Sequence, residues 1–314
     1  MVQVLTIVTP FFGLILLGFA SVKLGYLSRE AARYMVEFAV KLAMPVFLFR
    51  AMLSIGELPG SPILLVAAYF CGTLIAWILA ALATAIILRR PQTDAAAIAM
   101  GATFSNSVML GVPLAISTFG PEAAAPAALL ISLDTPVLWI MATLHYEAFS
   151  KDRTGSPISA LGKIVLDLIK NPIVLALIVG SAARLGGLVL PPLADTATSL
   201  LAQAAVPTML VALGASIATY KMAGQTSTLA TIHIIKIIIF PVVVFVFAAY
   251  VFELPPLWTA IATLFAAMPV GANAYLFAAK YDVAVGSVST SIAISTLITV
   301  FTVTGLLFWL RTVV

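Results

Sequence analysis

The chain has 314 residues, of which 62 % are hydrophobic and only 9 % carry charge. A soluble domain is usually about 45–50 % apolar and about 25 % charged, so this chain has too few charged side chains to cover a water-facing surface. One spanning helix takes roughly 20 apolar residues, and the apolar residues present here would fill about ten. The composition therefore excludes a soluble enzyme, a coiled coil and a disordered chain. It predicts an all-α integral membrane protein.

Apolar runs between proline, glycine and polar residues predict ten transmembrane helices. Their predicted ranges are 4–22, 31–54, 61–88, 95–119, 123–148, 161–187, 197–219, 227–252, 256–279 and 284–310. No basic region precedes the first apolar run, so we interpret it as a span and not as a cleaved signal.

The basic residues predict the orientation of these helices. Most of the 16 lysine and arginine residues fall in the odd-numbered loops, including Arg89, Arg90 and Lys151. Cytoplasmic loops carry such an excess, which predicts a multi-pass protein of the plasma (inner) membrane with both termini outside the cytoplasm. Because the basic residues are scattered and not gathered on one face, no nucleic-acid partner is expected.

The two halves of the chain align at one constant offset. Residues 9–18, TPFFGLILLG, fall on residues 171–180, NPIVLALIVG, with Pro10 on Pro172 and Gly18 on Gly180. Each half holds five spans, and because five is odd a second copy must enter the membrane from the opposite side, as in many transporters. We therefore predict a first five-helix repeat over residues 1–149, a cytoplasmic linker over 150–160 and an inverted second repeat over 161–314.

Spans four and nine each contain a helix-breaking segment near the middle of an apolar run. These segments are SNSVMLGVP, residues 105–113, and MPVGANAY, residues 268–275. Proline removes a helical hydrogen bond and glycine lets the backbone leave the helix, and corresponding breaks in two halves indicate a transporter binding site. A simple proline kink is the alternative for either segment. The predicted substrate-binding residues are Ser105, Asn106, Pro113, Pro269, Gly271, Asn273 and Tyr275.

Two ionisable residues lie deep within predicted spans. A charged carboxylate is costly at the depth of Asp134, so Asp134 is predicted to carry a proton or to be the counter-ion of Lys236; a structural carboxylate that caps broken backbone is the alternative. Lys236 is predicted to meet a substrate carboxylate, with snorkelling to the interface as its alternative. Arg50, near the end of span two, is expected to snorkel outward. Cys71 is the single cysteine, and neither a metal site nor a cofactor is expected.

Four stretches of the sequence carry a family resemblance: FSNSVMLGVPL, AAMPVGANAYLFAAKYDV, NPIVLAL and VPTMLVALGASIA. They resemble the auxin efflux carrier family, whose plant members export auxin and whose bacterial members include proteins assigned to malonate transport. The resemblance implies ten helices in two inverted five-helix repeats, as in the bile acid:sodium symporter group. It further implies that helices four and nine cross as broken helices in a transport domain, that helices one, two, six and seven form a dimeric scaffold, and that the transport domain moves like an elevator.

Two departures from the family pattern argue against auxin itself as the substrate. The long cytoplasmic loop of many plant carriers is missing, and Asn273 with Ala274 replaces a stretch that contains proline in the family. The match carries Asn106, Pro113, Pro269 and Gly271 onto the crossover of the family.

The predicted function is secondary active transport of a small organic anion, a carboxylate such as malonate, by a homodimer in the lipid bilayer. The coupling ion is left open between H⁺ and Na⁺. A channel, a potential-driven uniporter for organic acids and a transporter-like sensor are the alternatives. The sequence lacks a G-x-x-x-x-G-K-[ST] motif for ATP, and the lone Asp134 supplies no nucleophile–base pair, so no enzyme activity is predicted.

Overall fold

The structure, a computed structural model, describes residues 2–54, 60–150, 170, 172–219 and 223–313. Within these ranges regular structure is helical, apart from an isolated antiparallel bridge between Ser105 and Val270. The α-helices are α1 (Val2–Lys23), α2 (Arg29–Phe38), α3 (Met44–Ser54), α4 (Pro62–Ile86), α5 (Gln92–Thr103), α6 (Val112–Phe119), α7 (Ala124–Phe149), α8 (Pro172–Leu185), α9 (Pro192–Ile217), α10 (Thr226–Ile234), α11 (Phe240–Val246), α12 (Pro256–Ala266), α13 (Ala272–Tyr281) and α14 (Val285–Val313). Short π-helical segments occupy Ala39–Ala43, Ser107–Gly111, Ile235–Ile239 and Phe247–Val251, and a 3₁₀ turn occupies Pro121–Ala123.

Among the described residues, six helical stretches are long and apolar enough to cross a membrane. They are Thr6–Lys23, Pro62–Ile86, Pro121–Phe149, Pro192–Ile217, Thr226–Val251 and Val285–Leu310. These stretches coincide with predicted spans one, three, five, seven, eight and ten. The all-helical membrane class predicted from composition is confirmed.

The other four predicted spans differ from these six for physical reasons. Span two carries Glu37, Lys41 and Arg50, which lower its hydropathy. Spans four and nine are interrupted, so that only shorter apolar helices remain of them. Part of span six lies outside the described residues, and so does the predicted linker, residues 150–160, apart from Ser150. The count of ten spans and the inverted repeat therefore stay predictions.

The chain folds into two compact units, each of which draws on both halves of the sequence. The first unit is built from Met1–Pro59, Val108–Ala128 and Asp167–Thr219, and the second from Gly60–Ser107, Leu129–Leu166 and Tyr220–Val314. Within each unit, helices that are distant in sequence therefore pack together. The division into units does not coincide with the midpoint of the chain.

In the first unit, α1 packs along α9, and α3 packs against α8 and α9. Two glycines let α1 and α9 approach backbone to backbone: a Cβ on Gly18 would collide with the carbonyl oxygen of Val211, and a Cβ on Gly214 with that of Ile15. Lipid supplies no hydrophobic drive between helices, so close packing over small residues is a main source of their association.

Arg50 has a partner in the first unit that the sequence did not indicate. Its Nη1 atom lies 2.7 Å from Asp195 Oδ1 and 2.7 Å from Thr198 Oγ1. Because Arg50 lies in the second half of α3 and Asp195 in the first turn of α9, this ion pair joins helices from the two halves of the sequence.

In the second unit, α4 packs against α5 and α11, and α11 also packs against α12. The π segment Ile235–Ile239 joins α10 to α11 and contacts both α4 and α5. A π turn holds one residue more than an α turn and often marks a functional position. Lys236 lies in this turn.

Candidate functional site

The first interruption follows α5. The helix ends at Thr103, and Phe104 has extended backbone angles (φ −69°, ψ 116°). Regular structure resumes in the π segment Ser107–Gly111, and α6 then begins with Pro113 in its first turn. Gly111 has helical backbone angles (φ −63°, ψ −52°), so helical turns continue from Ser107 to Phe119 and Pro113 lies within them. The backbone leaves the helix at residues 104–106, several residues before the proline.

The second interruption lies between α12 and α13. The first of these helices ends at Ala266, and the second begins at Ala272 with Gly271 as its N-cap. Gly271 has extended backbone angles (φ −87°, ψ 155°) and gives α13 no side-chain cap. Pro269, which has no N–H to donate, lies in the stretch between the two helices.

The two interruptions pair with each other across the Ser105–Val270 bridge. The N–H of Asn106 donates to the carbonyl of Pro269 at 2.8 Å, and the N–H of Gly271 donates to the carbonyl of Phe104 at 3.0 Å. Backbone that leaves a helix at membrane depth is tolerated only where its polar groups find other partners. Each break supplies partners for the other.

A third helix completes this pairing. The N–H of Val270 donates to Ser295 Oγ on α14 at 3.0 Å. Ser295 is fully buried (0 % exposed). Sequence reasoning missed Ser295 because one serine among the many serines and threonines of α14 carries no distinguishing signal.

Lys236 lies against both breaks and is completely buried (0 % exposed). Its ammonium donates to the carbonyl of Ala266 at 3.0 Å, to the carbonyl of Thr103 at 3.4 Å and to the hydroxyl of Ser105. Thr103 and Ala266 are the last residues of α5 and α12, so one side chain joins the carboxyl ends of both interrupted helices. The ammonium also lies 4.7 Å from the ring centre of Phe240. Snorkelling, the alternative considered for Lys236, is excluded by this burial.

Asp134 and Tyr69 form the second polar part of this region. Asp134 is 4 % exposed and Tyr69 is 1 % exposed. Neither Asp134 Oδ1 nor the Tyr69 hydroxyl has a hydrogen-bond partner among the residues that the structure describes. Asp134 interacts electrostatically with Lys236 and Tyr69, although the ion pairs among the described residues do not include a direct Lys236–Asp134 contact. Tyr69 was missed because a tyrosine in an apolar helix is usually a core residue.

The structure places most of the sequence-predicted site residues in the second unit. Ser105, Asn106, Pro269 and Gly271 meet at the paired breaks, and Asn106 is 7 % exposed. Asn273 lies in the first turn of α13, partly buried, with its Nδ2 atom 3.5 Å from Thr135 Oγ1. Tyr275 follows on the same helix and is also partly buried. Pro113 is buried in α6, which belongs to the first unit.

Within the described part of the chain, no group of three or more histidine, cysteine, aspartate or glutamate side chains could hold a metal ion. The acceptors around the breaks are instead backbone carbonyls and hydroxyls.

Comparisons with known proteins agree with this description. Residues 3–307 match the family described as membrane transport protein. A protein of Rhizobium meliloti (strain 1021) named "Putative malonate transporter" is 29 % identical over 315 residues, which cover 99 % of this chain and 97 % of the relative. Both descriptions denote a transporter and not an enzyme. Since the match spans nearly the whole chain and includes both breaks, this multi-pass membrane protein belongs to the membrane transport protein family, the auxin efflux carrier family that its sequence resembles.

Proposed function

We propose that this transporter carries a small organic anion, a carboxylate of the size and charge of malonate, by secondary active transport. The observation that carries the proposal is the pairing of two interrupted helices at residues 104–106 and 269–271. Paired breaks expose helix ends to a substrate inside the membrane, where a continuous helix would expose only side chains.

The amino end of α13 supports an anionic substrate. The first turn of a helix has N–H groups without partners inside the helix and carries roughly half a positive charge. At α13 that end begins at Gly271 without a side-chain cap, and Asn273 adds an amide beside it. A carboxylate can accept hydrogen bonds from both, which makes this turn the proposed substrate position.

The sequence predicted that Lys236 meets a substrate carboxylate, and here we propose a different role for its charge. Its ammonium is bound by the carboxyl ends of α5 and α12 and by Ser105. We therefore assign the attraction for the substrate to the amino end of α13 and the stability of the breaks to Lys236. The name of the Rhizobium relative supports a dicarboxylate over auxin as the first substrate to test.

For the mechanism we propose alternating access by elevator-type movement. The two compact units support it, because both breaks, Asp134 and Lys236 belong to the second unit. The second unit would be the transport domain and the first unit the scaffold through which two copies form a homodimer. The excess of basic residues in the odd-numbered loops supports an inner-membrane location with both termini outside the cytoplasm.

Counterflow in proteoliposomes tests the function. Vesicles loaded with millimolar unlabelled malonate are expected to accumulate external radiolabelled malonate transiently, and the initial rate should saturate with external concentration. A carrier shows both properties because one site serves both directions, whereas a channel dissipates gradients and shows neither. Empty liposomes are the control. Ligand binding without flux would identify a sensor, and exchange of cations or neutral solutes but of no carboxylate would overturn the proposal.

Asn273→Ala tests the substrate position. Removing the amide should raise the KM for malonate exchange roughly tenfold, since a hydrogen bond to a charged group contributes about 1.5–3 kcal/mol. Leu276→Ala is the matched control, because Leu276 lies on the same helix and is 52 % exposed, and the KM of this variant should be unchanged. Equal KM values for the two variants would show that Asn273 does not bind the substrate.

A further inference from the structure

The second unit has an apolar groove between α4 and α10, with a volume of about 350 Å³. One wall is the end of α4, from Leu79 to Ile87, and the other is formed by Thr231, Ile234, Ile235 and Ile239, on α10 and the π segment that follows it. Small-molecule sites usually have volumes of about 300–1,000 Å³. The groove shares no residue with the paired breaks, so the site described above does not account for it.

The lining of the groove suits a hydrocarbon chain. Among the described residues that line it, Thr231 alone carries a polar side-chain group, and its hydroxyl already donates to the carbonyl of Ser227 at 2.9 Å. Ile86 and Ile87 are 70 % and 71 % exposed, so the groove opens to the hydrocarbon that surrounds a spanning helix. The wall from Leu79 to Ile87 is about 12 Å long at the rise of an α-helix. A carboxylate would find no donor here, whereas a stretch of acyl chain fits.

One end of the groove carries a net positive charge. The end of α4 lies beside the start of α10, where Nη1 of Arg90 is 3.4 Å from Thr228 Oγ1. Arg90 is paired with Asp94 at 2.8 Å, and the opposite partial charges of the two helix ends offset each other. Arg89, two residues after Ile87, is exposed, and its guanidinium has no ion-pair or hydrogen-bond partner among the described residues. The charge at this end is therefore that of Arg89.

The backbone at Arg89 gives independent support for a role of its side chain. Its φ of 51° lies in the left-handed region, which glycine and asparagine adopt more readily than arginine. Because the side chain is exposed, packing against the protein does not explain an arginine at this position.

We propose that the groove binds an acyl chain of an anionic phospholipid and that Arg89 binds the phosphate of the same lipid. A guanidinium binds phosphate through two parallel hydrogen bonds, and basic residues at the cytoplasmic ends of spanning helices attract anionic lipids. Arg89 lies in one of the odd-numbered loops that the excess of basic residues predicts to be cytoplasmic. The inference goes beyond the proposed function and does not depend on which substrate is carried.

A lipid in the groove would contact the π segment that holds Lys236. Ile235 and Ile239 line the groove and are the first and last residues of that segment. Lys236 lies between them, is completely buried and bonds to the carboxyl ends of both interrupted helices. The acyl chain would therefore pack against the same helical turn from which Lys236 reaches the paired breaks.

Native mass spectrometry of the purified protein in detergent tests the inference, with phosphatidylglycerol and phosphatidylcholine of identical acyl chains as probes. The first phosphatidylglycerol should bind to the wild-type protein roughly fivefold more tightly than the first phosphatidylcholine, the effect of about one arginine near the membrane surface. Arg89→Gln should abolish this preference because it removes the charge. Arg89→Lys keeps the charge and should retain the preference.

Ala83→Phe tests the groove itself. Ala83 lines the groove, and the added ring should take the space of the acyl chain, so that the first phosphatidylglycerol binds at least roughly tenfold more weakly. Ala85→Phe is the matched control, because Ala85 lies on the same helix, is exposed and does not line the groove. It should bind the lipid as the wild-type protein does.

Three results would overturn the inference. They are equal affinity of the wild-type protein for the two lipids, an unchanged preference in Arg89→Gln, and binding by Ala83→Phe as tight as that by Ala85→Phe. If Ala83→Phe does not fold, the comparison of the wild-type protein with Arg89→Gln still decides. Because no measurement here involves malonate, failure of the lipid site and failure of the proposed substrate are separate results.

Discussion

Gly271→Ala is expected to abolish malonate exchange, with a loss of at least roughly 100-fold in initial rate. A Cβ at this position would lie 2.6 Å from Cδ1 and 2.8 Å from Cε1 of Phe104, and 2.9 Å from the carbonyl oxygen of Ser105. Two of these atoms belong to a buried ring and the third to backbone, so the added methyl group must push the two breaks apart. The hydrogen bond from Gly271 to Phe104 and the Ser105–Val270 bridge would both be lost.

Gly305→Ala is the matched control for this substitution. A Cβ at Gly305 meets nothing within 4 Å, and alanine within a helix is favoured over glycine by about 1 kcal/mol. The control protein should therefore exchange malonate at the wild-type rate. Exchange by Gly271→Ala within twofold of Gly305→Ala, at equal protein in the vesicles, would show that the pairing of the breaks is not needed for transport.

Asp134→Asn is expected to separate exchange from net uptake. We propose that Asp134 takes up and releases the coupling proton. Its carboxylate is buried, one of its oxygens has no hydrogen-bond partner among the described residues, and it interacts with Lys236 and Tyr69. Asparagine keeps the shape of the aspartate side chain but cannot take up or release a proton. Net malonate accumulation driven by a pH gradient should fall more than tenfold, while counterflow at constant pH persists, since exchange requires no net movement of protons.

Asp282→Asn is the control for the carboxylate. Asp282 is exposed and caps α13 in a left-handed conformation (φ 53°) that asparagine also adopts readily. Malonate uptake by Asp282→Asn should respond to the pH gradient as uptake by the wild-type protein does. Unaltered gradient-driven accumulation by Asp134→Asn would contradict the proton role. Loss of counterflow together with a large fall in Tm would instead assign Asp134 a structural role.

The sequence was informative where a residue type changes the backbone by itself. Gly271 and Pro269 favour a break in an apolar run, and the second interruption lies at these residues. The first interruption lies at residues 104–106, several residues before the glycine and proline that indicated it. Lys236 and Asp134 could also be singled out from the sequence, because a charged residue inside a run of about 20 apolar residues is costly in any fold. The overall class followed from composition alone.

The partners of these residues could not be predicted, because most of them carry no sequence signal. Lys236 bonds to the carbonyls of Thr103 and Ala266, which lie 133 and 30 residues away, and a carbonyl is identical in every residue. Arg50 and Asp195 are 145 residues apart, and neither has a spacing that indicates the other. Which segments belong to each compact unit likewise depends on contacts between residues far apart in sequence. A hydropathy pattern holds no information about such contacts.

The single ammonium at the ends of two helices also has a consequence for the order of biosynthesis. Ser105 enters the membrane 131 residues before Lys236 is made, a delay of roughly 7–26 s at a synthesis rate of about 5–20 residues per second. During that time the terminal carbonyls of α5 have neither the lysine nor the second break as partners. Until residue 236 has been made, the polar backbone at the end of α5 therefore needs other hydrogen-bond partners. A chain that stops before residue 236 never gains the ammonium that bonds to this backbone.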